Sequence, residues 1–262
     1  MEKIFDTNSL YPGYVEPLKK HFSAVYDEVF VSLSPFFKVK GKNEEETAVS
    51  GREIVSLEEI QKKDGTFKNF QPSDNRVIYS SNPNYPIEIE IAEKGITVTW
   101  QYILENAGFK SLQEISLALK TSIGGLNKEY RTPELQEVLE KFTVKNSIYH
   151  PTEGRITVLS LIKIYHCLIE IRKAEIVIAD EFFQDSEKID LSTLTCEEFI
   201  LKVRGYVYFF PVDKTLLFTI EWDSFFFLIC GDGETIEQIV TQFDFEGFLC
   251  DENTRHNWDT DD

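Results

Sequence analysis

The 262-residue chain predicts an α+β fold, a helical middle packed against a mainly antiparallel sheet that its C-terminal third largely forms. Three observations predict it. Residues 96–174 carry apolar side chains at helical spacing, residues 175–262 carry short apolar runs separated by tight turns, and no internal repeat or low-complexity tract interrupts either. With 42% hydrophobic and 13% aromatic residues the chain can bury a sizeable core, so residues 1–262 are expected to form one compact unit. Its subregions are a mixed 1–95, a helical 96–174 and an acidic α+β 175–262.

In order along the chain, 14–29 reads as a helix with Leu18, Phe22, Val25 and Tyr26 on one face. Ser34-Pro35 breaks it, and 40–52, with Gly41 and three consecutive glutamates, reads as an exposed loop. A short helix is expected over 57–63, turns at Asp64-Gly65 and 71–75, and a strand over 76–81. The alternation Ile87-Glu88-Ile89-Glu90-Ile91 predicts a strand with one buried face. The middle predicts helices over 97–106, ended by Gly108, and over 111–120, ended near Gly124-Gly125. A third starts at Thr132 as N-cap with Pro133 in the first turn, and a fourth, 156–172, is apolar on most sides. The last third predicts a strand at 176–178, a helix over 195–204 with a Thr195/Glu198 capping box, and strands over 206–210, 216–222 and 225–230. A helix over 234–242 and a strand over 245–249 finish it.

Charge is unevenly spread. The net charge is −18: residues 1–95 contribute −4, residues 96–174 contribute +2, and residues 175–262, with 5 basic and 21 acidic groups, contribute −16. Such a field disfavours a general grip on nucleic acid or anionic lipid and favours a cationic surface, so the expected partner is a basic protein. The first residues carry acids at once, and the longest apolar block, 225–230, is far short of a bilayer-spanning helix, which predicts a cytoplasmic chain without a membrane segment. Four cysteines at 167, 196, 230 and 250 form no Cys-x-x-Cys pair, so they are expected as buried reduced thiols, with no metal and no cofactor.

Complete catalytic constellations are missing from the sequence. Ile176–Glu181 has the form of a strand ending in Asp-Glu, as in P-loop ATPases, but no phosphate-cradling glycine loop accompanies it. Residues 115–128 resemble a helix-turn-helix with Ser122 capping the second helix, although Gly124 and Gly125 would weaken that helix. A DNA-associated regulator is therefore one alternative. A hydrolase using scattered carboxylates and His256 is another, and it needs a cleft where two carboxylates and a histidine converge.

The most distinctive stretches are Glu221-Trp222-Asp223-Ser224 leading into Phe225-Phe226-Phe227-Leu228, and 245–258 with Asp251-Glu252 and His256-Asn257-Trp258. They resemble the C-terminal signature of an uncharacterised family of acidic bacterial cytoplasmic proteins, a domain of unknown function. The succession of hairpin, helix and strand is also similar in architecture to bacterial toxin-immunity proteins. Neither resemblance implies site residues. From the residues themselves, Trp222 and Trp258 offer apolar area with a hydrogen-bonding handle, and Asp223, Asp251, Glu252 and His256 are candidates to rim them. These six are the expected binding residues of a non-enzymatic protein-binding module, with no catalytic set.

Overall fold

The computed structural model describes residues 11–42, 49–55, 78–124 and 128–260, with the side chains of 52–55 and 78–81 outside that description. The strands are β1 (Glu28–Leu33), β2 (Phe36–Val39), β3 (Arg52–Val55), β4 (Ile78–Ser81), β5 (Gly95–Val98), β6 (Glu175–Ala179), β7 (Ser186–Asp190), β8 (Tyr208–Pro211), β9 (Leu216–Thr219), β10 (Phe226–Gly231) and β11 (Gly247–Leu249). The helices are α1 (Leu18–Phe22), α2 (Glu88–Lys94), α3 (Trp100–Ala107), α4 (Leu112–Ser122), α5 (Pro133–Lys145), α6 (Val158–Glu170), α7 (Cys196–Val203) and α8 (Gly233–Gln242).

One seven-stranded sheet organises the molecule, in the order β11-β1-β10-β9-β8-β6-β7, with every neighbouring pair antiparallel. Six of its strands come from the last third, and β1 is inserted from the first, with Val31 opposite Leu228. β2 pairs with β5 and β3 with β4 as separate ribbons. The predicted class therefore stands: helices packed on a mainly antiparallel sheet built largely from the C-terminal third.

The continuous apolar run of β10 has a simple cause. Its residues alternate between two hydrophobic cores, one on each face of the sheet. Phe226, Leu228 and Cys230 face a core completed by Leu18 and Phe22 of α1, Trp100 of α3, Leu119 of α4 and Leu139 of α5. Phe227 and Ile229 face the other, completed by Ile91 of α2, Ile164 of α6, Phe199 of α7 and Ile239 of α8. A strand covered on both sides has no polar face to show.

Several local expectations are corrected. The helix expected over 14–29 is only α1, Leu18–Phe22, and Glu28–Leu33 is a strand. Val29, Phe30 and Val31 are β-branched or aromatic and are held between β11 and β10, so ladder pairing overrides the helical spacing. The alternating 87–91 is part of helix α2, which Pro86 precedes and Glu88 and Glu90 open. Ile91 is buried while Ile87 is 66% exposed, so this period-2 pattern of isoleucines does not mark a sheet face. Strand β7 was not foreseen. The helix-turn-helix is overturned: α4 continues through Ser122, its expected cap, and its Lys120 is buried in the protein where no phosphate can meet it. The helix expected over 57–63 and the turns at 64–65 and 71–75 lie outside the described residues. Among the described residues no helix is long and apolar enough to cross a membrane.

Phe227 lies at the middle of the sheet with no solvent exposure. Truncation to alanine leaves a cavity that the flanking β1 and β9 cannot close, so Phe227→Ala is expected to cost about 3–5 kcal/mol. Urea unfolding checks this; a loss below about 1 kcal/mol would show that the second core is loosely packed.

Candidate functional site

The sharp turn from β9 to β10 carries the most distinctive sequence, and the backbone of Gly154 grips it. Gly154 N–H donates to the Ser224 carbonyl at 2.9 Å. Its φ is +64°, and a Cβ there would stand 1.8 Å from the Trp222 carbonyl oxygen, so only glycine fits. Ser224 N–H closes the turn on the Glu221 carbonyl at 3.2 Å. Held this way, the turn buries Ser224 and leaves Trp222 65% exposed.

Facing the turn is the segment before α1. Tyr11 is buried, and its N–H donates to the Tyr208 hydroxyl at 3.2 Å. Tyr14 is 48% exposed. Tyr11, Tyr14, Tyr208, Glu181, Glu221 and Trp222 line a hollow of about 200 Å³. Two carboxylates, Glu181 and Glu221, line it, and Asp223 lies near enough to act on Glu221 and Tyr14. Burial, then the neighbouring Asp223 and Glu181, push the Glu221 carboxyl up to about 7. Burial likewise raises Asp223, partly offset by the Lys120 ammonium. The Tyr14 hydroxyl is pushed up to about 12 by burial and then by Asp223 and Glu221. The hollow is therefore an aromatic-walled cup with surplus negative charge.

Beneath the turn the C-terminal segment is drawn into the core. His256 is 1% exposed, shares a hydrogen bond between Nδ1 and the Tyr11 hydroxyl at 3.0 Å, and places Nε2 3.4 Å from Ser224 Oγ. Burial holds its imidazole down at about 3, so it is neutral, and its 4.0 Å approach to Asp223 is not an ion pair. Asp259 accepts from Ser116 Oγ and forms a 2.7 Å ion pair with Lys120 of α4, both partners buried. Trp258 packs edge-on against Phe226 and Phe248 with centroids 5.9 and 5.1 Å apart.

The six expected binding residues thus separate. Trp222 lines the cup, and Asp223 lies behind it with Oδ1 buried 4.0 Å from His256 Nε2. His256 supports it from below, and Trp258 belongs to the adjoining core. Asp251 is a turn-former, accepting from Asn253 N–H, Thr254 N–H and Thr254 Oγ, which holds its carboxyl below its usual range. Glu252 is turned toward Lys19 of α1 at 3.8 Å. Tyr11, Tyr14 and Glu181 were missed: nothing local in the sequence ties them to position 222. Glu221 was readable, as the acid beside an aromatic in Glu221-Trp222-Asp223. The remaining acids of the last third are partly compensated, Asp213 by Lys173, Glu175 by Lys188 and Glu187 by Lys202. Among the described residues no three His, Cys, Asp or Glu side chains converge as a metal site needs.

A family model described as "Protein of unknown function (DUF2711)" matches residues 14–260. The "Uncharacterized protein YwbB" of Bacillus subtilis (strain 168) is 24% identical over 174 residues, 66% of this chain and 77% of that protein. No solved structure gives a significant match.

Removing Asp259 strands the Lys120 charge in the core, so Asp259→Ala is expected to cost about 3–5 kcal/mol, and adding Lys120→Met to recover most of it. A loss that persists in the methionine background would assign the effect to packing instead of charge. His256 is neutral when folded and gains a proton when unfolded below about 6.5, so it withdraws stability as pH falls through that value. Between pH 6 and 4 its share of the slope is about 1.4 kcal/mol per pH unit. His256→Gln should flatten the stability–pH curve by that amount, measured by denaturant titration at each pH; an unchanged slope would mean the imidazole is protonated in the fold.

Proposed function

We propose that this chain, which belongs to the DUF2711 family of proteins of unknown function, is a cytoplasmic protein-binding module whose acidic cup takes a cationic side chain of a basic protein partner. The observation that carries this reading is the cup itself: exposed Trp222 and Tyr14 beside Glu181 and Glu221, with Asp223 behind them adding negative charge. Aromatic faces attract an ammonium or guanidinium through their quadrupoles, and unpaired carboxylates add a Coulomb term that strengthens away from bulk water. Trp222, with 65% of its surface exposed, is also the kind of large anchor that an interface covers. The net charge of −16 over residues 175–262 supports electrostatic attraction of such a partner.

The convergence of Glu221, Asp223 and His256 favours hydrolysis as a second reading. It asks His256 or Ser224 to reach a substrate, and both are buried under the turn.

A lysine- and arginine-containing peptide titrated at low salt tests it, with an acidic peptide as control. Trp222→Ala and Glu221→Gln are each expected to weaken binding about fivefold. Because Glu221 loses its proton near 7, affinity should rise from pH 6 to 8, and Glu221→Gln should remove that rise. Binding that survives both substitutions unchanged would sink the assignment of the cup.

A further inference from the structure

A second hollow, on the opposite face of the sheet, has the reverse character. It measures about 300 Å³ and lies between α2, α6 and the end of α7. Ile91, Leu159, Leu161, Ile200, Val203 and Phe209 wall it, and all six are buried. Its charged groups among the described residues are Glu88, Arg204 and Arg155. Glu88 and Arg204 neutralise each other at 3.4 Å. Arg155 is exposed, directly precedes Ile156 at the approach to α6, and has no ion pair among the described residues. An unpaired guanidinium at an apolar cavity is the more telling in a chain of net charge −18, where carboxylates to pair with it abound.

We propose that this cavity binds a small amphipathic carboxylate, its apolar chain among Ile91, Leu159 and Ile200 and its carboxylate on Arg155. The planar guanidinium presents paired N–H donors that match a carboxylate in a two-point hydrogen bond. The N-terminus of α6 reinforces the preference for an anion: Thr157 at its N-cap supplies no side-chain cap, and Thr157 and Val158 line the cavity. A volume of about 300 Å³ is at the lower end of ligand pockets, which run to about 1,000 Å³. That size fits a short chain better than a helix of a partner protein. Among the described residues an amine finds no free carboxylate here, because Glu88 is engaged by Arg204.

The test is calorimetric titration of the full chain with sodium octanoate, and in parallel with octanol and octylamine. Octanoate is expected to bind at least tenfold tighter than either. Arg155→Gln should remove that preference while leaving octanol unaffected, and Ile200→Trp, which fills the cavity, should abolish both. Thermal unfolding of each variant establishes that it is folded; if Ile200→Trp is not, Val203→Phe takes its place. Trp222→Ala should leave octanoate binding unchanged, which separates this site from the acidic cup. Octanoate that fails to bind, binds no better than octanol, or binds Arg155→Gln equally well would overturn the proposal.

Discussion

The constraint on which the structure depends is the burial of β10 on both faces. Its six residues are all buried, and alternation sends them into two separate cores. Helices must therefore cover both sides of an antiparallel sheet, an arrangement more usual for parallel ones. The helical middle supplies part of each cover: α3, α4 and α5 go to one side and α6 to the other. Once β10 is fixed, the tight turn that feeds it is fixed as well, and with it the place of Trp222.

That turn is over-determined. Gly154 approaches it from the N-terminal side of α6, Ser224 is buried beneath it, and His256 fills the space between Ser224 and Tyr11. His256 stays there because the chain after it is anchored by the Lys120–Asp259 pair. The segment around Tyr11, the middle of the chain and the C-terminal segment meet at one place, although they are far apart in sequence. An exposed indole on a rigid base loses little freedom when a partner covers it.

The electrostatics divide along the same lines. Several acids of the last third perform local work: Asp232 caps α8, Glu198 completes the capping box of α7, and Asp251 shapes a turn. Others are paired with lysines. Glu221 at the cup differs: burial already disfavours its ionisation, and the neighbouring Asp223 and Glu181 raise it further, while Asp223 is raised mainly by its own burial. At the second hollow the unpaired group among the described residues is a cation, Arg155. The two hollows share a short stretch of backbone, since Gly154 holds one and Arg155 borders the other.

Sequence alone determined what is local in physics. Helices α4 to α8 follow from caps and 3.6-residue spacing, the Thr195/Glu198 capping box from its own four residues, and strands β8, β9 and β10 from apolar runs between turns. It also determined that Glu221-Trp222-Asp223 would be a feature of the chain. Only the tertiary structure decided that 28–33 is a strand and 88–94 a helix, because those segments carry patterns compatible with both and packing breaks the tie. Only it decided that Trp222 faces outward while Asp223, His256 and Trp258 turn in, and that Tyr11, Tyr14 and Glu181 join Trp222 at the cup. The reason is physical: a hydrogen bond or charge pair across two hundred residues leaves no spacing in the sequence, and forms only when loops bring its ends together.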